Sequence, residues 1–259
     1  MLILNKRKLL RLAVPIAVTI TILLGLSDWG HASSTSTVQD QIRSRKDDRL
    51  EREEYPIAIY SAALPDETAE RALRHARNSR YDKRDAVPFD ELPADAIARF
   101  VVCDWSLTPA LPTAESDAVL SGRFLAANGY LSNDKTGAYS EFTIIIEEVL
   151  KSDGRPSLEP SNSIIAERAG AAVQLPSGRI VRTGFSGQGM PRVGRQYVLF
   201  PKYNDQGEDY HIVTGYELRN KRVFPRDTGE RFSIYKDADT GTFLDTLHLL
   251  VANPIKKKR

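Results

Sequence analysis

The middle of the chain, residues 94–225, has apolar residues that alternate with polar ones or form short continuous runs. This spacing is typical of β-strands, because helices repeat their apolar positions every 3.6 residues. Turn-forming residues separate the runs at 151–154, 176–178 and 204–207. The pattern predicts six short strands, in the segments DAVLSGRFLAA, YSEFTIIIEEVL, NSIIAERAG, GRIVRTGF, RQYVLFPKY and DYHIVTGYEL. We therefore expect a mainly β domain over 94–225, either a small antiparallel barrel or a sandwich.

Helical spacing appears on both sides of this region. Near the C-terminus, apolar residues recur at i, i+1, i+4, i+7 and i+8, which predicts an amphipathic helix containing Phe243, Leu244, Leu247, Leu250 and Val251. After Pro65 a second helix is predicted, with one narrow apolar stripe formed by Ala69, Ala72, Leu73 and Ala76. Such a helix either lies across a larger body or stays largely solvated.

The first 32 residues have the order of a secretory signal. A basic stretch precedes fifteen uncharged, mostly apolar residues at 12–26, and a small-residue site ends at Ala32. We expect cleavage after Ala32. The alternative is an uncleaved anchor whose positive end stays in the cytoplasm, which would still place the rest of the chain outside. Both outcomes predict an extracytoplasmic chain, either periplasmic or secreted, that is anchored only if the signal is retained.

Three further segments complete the predicted organisation. Residues 33–93 form a charged arm with one helix, because the mixed-charge run at 40–54 has almost nothing to bury. Residues 94–225 form the β domain. Residues 226–259 contain the C-terminal helix and a basic tail, which we interpret as an aid to solubility. Membrane contact is expected only through the N-terminal segment if it is uncleaved.

Charge and cysteine content narrow the class of protein. Removal of the signal leaves 227 residues (259 minus 32), with 32 Lys and Arg (36 minus 4) against 33 Asp and Glu (34 minus 1). This balance gives no field that favours nucleic acid. Cys103 is the only cysteine, so stability must come from burial rather than from disulfides. We interpret Cys103 as a small buried residue, since a catalytic thiolate needs a histidine or a helix N-terminus nearby.

The sequence contains no complete catalytic or metal-binding motif. No HExxH or paired CxxC occurs, and we predict no metal and no cofactor. The segment 184–189 differs from a nucleophile elbow at Gln188, and we interpret it as a structural connection, with a binding loop as the alternative. The segment 237–241 only partly matches a calcium loop and fits better as the turn before the C-terminal helix. No catalytic residue is predicted.

Four pieces of the β region occur in a familiar order: Cys103, DAVLSGR at 117–123, the strand at 142–151, and GRQYVLF at 194–200. Over about residues 100–225 this order resembles the OB-type barrel of netrin-like modules and tissue inhibitors of metalloproteinases. The resemblance implies an OB-like fold. In those inhibitors an N-terminal cysteine binds the protease zinc and other cysteines pair. Because Cys103 is internal and single, no functional residue is carried over.

A second resemblance concerns the segments that follow. The chain is similar to uncharacterised exported bacterial proteins that carry a GQGxPRxGxxYVLF stretch, then QGED and TGYEL, here at 187–200, 206–209 and 214–218. This similarity agrees with the export signal and implies no particular activity.

Our leading hypothesis is a non-catalytic exported β domain that binds a protein or polymer of the cell envelope. It depends on the lack of a catalytic motif and on the glycine-rich joints, which commonly form binding loops. One alternative is a hydrolase whose Ser186, His211 and Asp209 meet only on folding. A membrane-tethered envelope scaffold is the other, if the N-terminal segment is retained. The sequence does not predict which residues bind.

Overall fold

The computed structural model describes residues 54–153 and 156–253. The predicted signal peptide, most of the charged arm and the basic tail lie outside these residues. The described strands are β1 (Ile57–Ile59), β2 (Ala98–Val101), β3 (Ala118–Leu131), β4 (Ala138–Ser152), β5 (Ser163–Ala169), β6 (Ala171–Gln174), β7 (Ile180–Phe185), β8 (Gln196–Asn204), β9 (Asp209–Arg219) and β10 (Arg222–Pro225). The described α-helices are α1 (Thr68–Ser79), α2 (Glu230–Ser233) and α3 (Thr240–Ala252).

Five strands form a hydrogen-bonded ring in the order β3-β4-β5-β9-β8, in which β8 returns to β3 and β10 extends β9. The pair β5–β9 is parallel, and the other four pairs of the ring are antiparallel. Because side chains alternate between the two faces of a strand, every second residue points into the ring. With Met190 from the connection between β7 and β8, these inward residues form an apolar core that includes Leu120, Phe124, Phe142, Ile144, Ala166, Tyr197, Leu199, Tyr210 and Ile212.

The other four strands form a separate sheet, which we call sheet A, in the order β1-β6-β7-β2. Its inner face includes the buried side chains of Ala58, Val173 and Val181, which pack with Ala138 at the start of β4. From the sequence we expected β7 to belong with the five ring strands, and this grouping is wrong. β7 pairs instead with β6 and β2, so the described residues form two sheets.

Sheet A is fixed to the ring where β1 crosses β3 at Gly129. A Cβ atom at residue 129 would lie 2.5 Å from the backbone nitrogen of Ala58 and 2.6 Å from the carbonyl carbon of Ile57. Only a residue without a side chain allows two backbones to approach so closely.

We expect Gly129→Ala to lower the free energy of unfolding by about 2 kcal/mol, because β1 must move away from β3 to make room for the methyl group. Urea unfolding followed by circular dichroism measures this change. Gly184→Ala, in β7, is the control, since its Cβ would meet its neighbours at ordinary distances of 3.5–3.7 Å. Equal stability of the two variants would contradict the crossing described here.

The C-terminal helix α3 packs on the outside of the ring, where Phe243 and Leu247 are buried with Val198, Phe200 and Tyr216. The Asp239 carboxylate caps the helix by accepting a hydrogen bond from the Thr242 backbone N–H at 3.1 Å. The segment 237–241 is therefore the turn that leads into α3, as predicted.

The prediction of a mainly β protein is confirmed, and all six predicted strands are present. The four that the sequence analysis missed, β1, β2, β6 and β10, have only three or four residues each. Strands this short contain too few alternations to give a periodic signal. Among the helices of the described residues, none has the length and apolar character needed to cross a membrane.

Candidate interaction surface

The outer face of sheet A is mostly apolar. The strand register places Ile57 beside Ala172, which is beside Arg182, which is beside Ala98, all in one row. The next rows on this face add Ile59, Gln174 and Ile180 on one side and Gly184 and Phe100 on the other. No aspartate, glutamate or lysine belongs to these rows.

Four large apolar side chains on this face are about half exposed: Ile57 at 53%, Ile59 at 55%, Ile180 at 46% and Phe100 at 43%. They come from three different strands, and the described residues supply no second layer that covers them. A group of large apolar side chains on one exposed face indicates an interaction site more often than isolated exposed residues do. We refer to this face as the apolar face.

Two aromatic rings meet at one end of the apolar face. Tyr55 and Phe100 make an edge-to-face contact, with ring centroids 6.2 Å apart. Both rings lie beside Gly184, where a Cβ would be 3.5 Å from Phe100 Cε1 and 3.7 Å from Tyr55 Cε1. Because Gly184 has no side chain, the two rings can pack close to the backbone of β7.

Strand β2 forms the open edge of sheet A. The Ile97 carbonyl accepts a hydrogen bond from the Arg182 N–H at 3.0 Å, and the Val101 carbonyl accepts one from the Ser186 N–H at 2.8 Å. Backbone groups of successive residues in a strand point to opposite sides, so those of Ala98 and Phe100 point away from β7. In the described part of the chain, no strand lies on that side of β2.

Arg182 is the one charged side chain in the rows of the apolar face. It is exposed, and within the described residues it forms no ion pair. Its neighbour on β2 is the small Ala98, so the guanidinium group has space above the edge of the sheet. An unpaired cation surrounded by apolar residues favours a partner that brings a carboxylate.

The structure corrects the interpretation of Cys103, which is exposed rather than buried. It follows Val102, whose side chain is 89% exposed. The apolar run at 100–103 suggested burial, but the run belongs to the edge strand and the segment after it, where side chains meet solvent.

The structure separates the residues of the hydrolase hypothesis. Ser186 lies just after β7, where its carbonyl accepts a hydrogen bond from Trp105 Nε1 at 2.7 Å. His211 and Asp209 are on β9 in the ring, where His211 Nδ1 lies 2.9 Å from Glu167 Oε1. Among the described residues, no hydrogen bond joins Ser186 to either of them. The structure therefore brings His211 and Asp209 into one cluster and leaves Ser186 outside it.

That cluster consists of carboxylates on the outer face of the ring, covered by α1. Glu141, Glu167 and His211 are direct neighbours across β4, β5 and β9, and Asp209 lies two residues before His211. The three carboxylate residues, Glu141, Glu167 and Asp209, are at most 6% exposed. Like charges placed opposite each other destabilise a sheet, so these groups need cations nearby.

Helix α1 supplies the cations through Arg74 and Arg77, and Arg80 follows at its C-terminus. Arg74 binds both oxygens of Glu141, at 2.5 and 3.0 Å, and Arg80 lies 3.1 Å from Glu167 and 2.5 Å from Asp209. Burial lowers the Arg74 pKa, but the hydrogen bond to Glu141 and the electrostatic effects of Tyr139, Glu141 and Tyr130 together outweigh it and hold the pKa above its ordinary value. This helix therefore docks through charge pairs.

The buried side of α1 differs from the apolar stripe seen in the sequence. Ala69 and Ala72 are exposed, whereas Arg74 and Asn78 are buried. Burial raises the pKa of Tyr139, whose hydroxyl receives a hydrogen bond from Arg74 and donates one to Asn78 Oδ1 at 2.8 Å. The helix therefore lies across a larger body, which was one of the two expectations. It contacts that body through its arginines and not through the predicted apolar stripe.

A second buried ion pair lies inside the protein. Arg168 is 1% exposed, and its Nη2 group donates to Asp227 Oδ1. The other oxygen of Asp227 accepts a hydrogen bond from the Thr214 hydroxyl at 2.7 Å. Asp227 also receives the Gly189 N–H at 3.3 Å, which ties the glycine-rich connection between β7 and β8 to the core.

That connection is mainly structural, as the sequence analysis favoured over a binding loop. Gln188, Gly189, Met190 and Pro191 are all buried. Gln188 Nε2 donates to the Ala169 carbonyl at 3.1 Å, and Met190 is part of the apolar core of the ring. Within the described residues, no group of three or more His, Cys, Asp or Glu side chains is arranged to hold a metal ion.

Comparison of the whole sequence with models of known protein families and with curated proteins finds no match. The apolar face therefore has to be interpreted from its own chemistry. Sequence reasoning missed it because Ile57, Phe100 and Ile180 are far apart in the chain and meet only through strand pairing.

Proposed function

We propose that this chain is an exported, non-catalytic module that binds a protein of the cell envelope through the apolar face of sheet A. The observation that carries the proposal is the set of four half-exposed side chains, Ile57, Ile59, Phe100 and Ile180, on one side of one sheet. Apolar surface in contact with water is costly, and a partner that covers it gains the corresponding free energy.

A protein partner suits this surface better than a polysaccharide or a nucleic acid. The centres of protein interfaces are enriched in apolar residues, aromatic residues and arginine, and are poor in lysine and carboxylates. The apolar face has this composition, with Phe100 and Arg182 among aliphatic residues. Binding to nucleic acid depends on clustered positive charge, and the formal net charge of the whole chain is only +2.

Export is proposed from the sequence of the first 32 residues. Their order of basic, apolar and small residues is that of a secretory signal. A single cysteine also suits a domain that is stabilised by its core, and the described residues contain three apolar clusters. The cell envelope is therefore the proposed place of action.

We also propose that the ring is an OB-type barrel. Counted along the chain, its strands have the order 1-2-3-5-4, closing onto 1, and the one parallel pair joins the third and fifth strands. A five-stranded Greek-key barrel of the OB type has this arrangement. The resemblance of residues 100–225 to netrin-like modules supports the same assignment.

Site-specific photocrosslinking in the native cells tests the proposed function. A benzophenone amino acid at position 100 or 180 is expected to give discrete adducts with an envelope protein, which mass spectrometry identifies. Both positions lie on the apolar face but on different strands, so they should capture the same partner.

The control places the same amino acid at position 249 on α3. Leu249 is 67% exposed and apolar, but it lies outside sheet A. Adducts of equal yield from positions 100 and 249, or none from 100 and 180, would show that the apolar face is not the binding site. An adduct with a cytoplasmic protein would contradict the envelope assignment.

A further inference from the structure

We propose that the partner binds as an extended peptide segment, which pairs with β2 and becomes the fifth strand of sheet A. This inference rests on the proposed function and specifies how the partner is recognised. Addition of a strand to an open sheet edge obtains affinity from backbone hydrogen bonds and specificity from alternate side chains.

Strand β2 is an open edge that lacks two of the usual protections. Proteins usually guard open edges with proline, lysine or an inward-pointing charge. Residues 97–102 contain neither proline nor lysine. Their one charged side chain, Arg99, lies on the inner face, where it donates to the backbone carbonyls of Val87, at 2.6 Å, and of Thr136. Among the described residues no strand pairs with the Ala98 and Phe100 backbone groups, which point away from β7.

The side-chain register of β2 also favours the addition of a strand. Ala98 and Phe100 belong to the outer face, so the residues paired with them on an added strand would also lie on that face. An apolar residue opposite Phe100 would cover the ring of Phe100, which is 43% exposed, and would extend the apolar face by one strand.

The charge of Arg182 indicates that the added strand carries a carboxylate. Neighbouring strands lie about 4.8 Å apart, so the added strand would be roughly 10 Å from β7, with only Ala98 between. A long arginine side chain can span most of this distance across an alanine. A glutamate or aspartate opposite Ala98 would then pair with Arg182, which forms no ion pair within the described residues.

Together these features define the peptide: an extended segment with a carboxylate residue and a large apolar residue two positions apart. A second copy that pairs through its own β2 does not satisfy the definition. Its own edge segment, IARFVV at 97–102, contains no acidic residue and would leave Arg182 without a carboxylate. The observations therefore favour a different protein over self-association through β2.

The experiment selects peptides from a phage-displayed library of random dodecapeptides on the purified full chain. Selected sequences are expected to share an acidic residue two positions from a large apolar residue. Fluorescein-labelled synthetic copies then measure affinity by fluorescence polarisation. Ala98→Pro removes a backbone donor at the open edge and should weaken binding at least about tenfold. Ala98→Ser keeps that donor and should bind within about twofold of the unmodified chain.

Arg182→Glu tests the charge pair separately. It should weaken the acidic peptide about tenfold and strengthen a peptide with lysine at the same position. Because Ala98 donates no bond to β7, the thermal unfolding midpoint of Ala98→Pro should stay close to that of Ala98→Ser. If that midpoint falls sharply, backbone N-methylation of the peptide replaces Ala98→Pro as the test. It removes backbone hydrogen bonds between β2 and the peptide by changing the peptide instead of the protein.

Three results would overturn the strand-addition proposal. One is enrichment of no peptide, and another is binding that ignores both Ala98→Pro and backbone N-methylation. The last is self-association of the chain that Ala98→Pro abolishes, which would make a second copy the occupant. If crosslinks from position 100 persist in the first two cases, the apolar face still binds a folded partner, and only the mode of recognition is wrong.

Discussion

Asp227→Ala is expected to lower the free energy of unfolding by about 3–5 kcal/mol. The Asp227 carboxylate accepts hydrogen bonds from Arg168, Thr214 and Gly189 in the interior. Its removal leaves the Arg168 guanidinium buried without a counter-charge, because Arg168 is only 1% exposed. Urea unfolding followed by circular dichroism gives the stability of the variant.

Asp245→Ala is the matched control, because Asp245 is exposed on α3 and its loss should change stability by no more than about 0.5 kcal/mol. A double variant, Arg168→Met with Asp227→Leu, removes both charges and should recover much of the lost stability. If Asp227→Ala cost less than about 1 kcal/mol, the buried pair would not have the role assigned to it.

Arg74→Ala is the second large effect, with an expected loss of about 3 kcal/mol and release of α1 from the ring. Glu141 is 6% exposed and, among the described residues, would keep only Arg77, at 3.4 Å, as an ion-pair partner. The guanidinium of Arg74 also lies 3.5 Å from the centre of the Tyr130 ring, and this contact would be lost as well. Hydrogen exchange of the α1 amides should rise more than exchange in the ring.

The control for this variant lies one helical turn earlier. Arg71→Ala changes the same residue type on the same helix, but Arg71 is half exposed and 4.0 Å from Asp66, so its loss should cost no more than about 0.5 kcal/mol. Arginine and alanine have similar helix propensities, so the difference between the variants reports docking. Equal hydrogen exchange of α1 in the two variants would contradict docking through Arg74.

The long strands were predictable from the sequence, and the sheet arrangement was not. β3, β4, β8 and β9 each contain nine or more residues, enough for alternation to be clear. β2 has four residues without a regular pattern of burial, and its parallel pairing with β7 joins segments some eighty residues apart. Pairing at such separation depends on tertiary packing, which local patterns do not record.

The docking face of α1 could not be predicted from the sequence either. Leu73 and the alanines at 69, 72 and 76 formed the one apolar stripe, and arginines on the other side gave no sign of burial. Their partners Glu141, Glu167 and Asp209 come from three strands and lie close together only once the register is set. The apolar face was unpredictable for the same reason, since its members are scattered from 57 to 180.

Because α1 is attached through charged groups, its local detachment exposes a polar surface. If α1 detaches, water meets carboxylates and guanidinium groups, which hydrate readily and do not promote aggregation. Detachment of α3 would instead uncover Phe243 and Leu247, which could adhere to other chains. Of these two helices, α1 is thus the one whose local opening exposes charged rather than apolar surface.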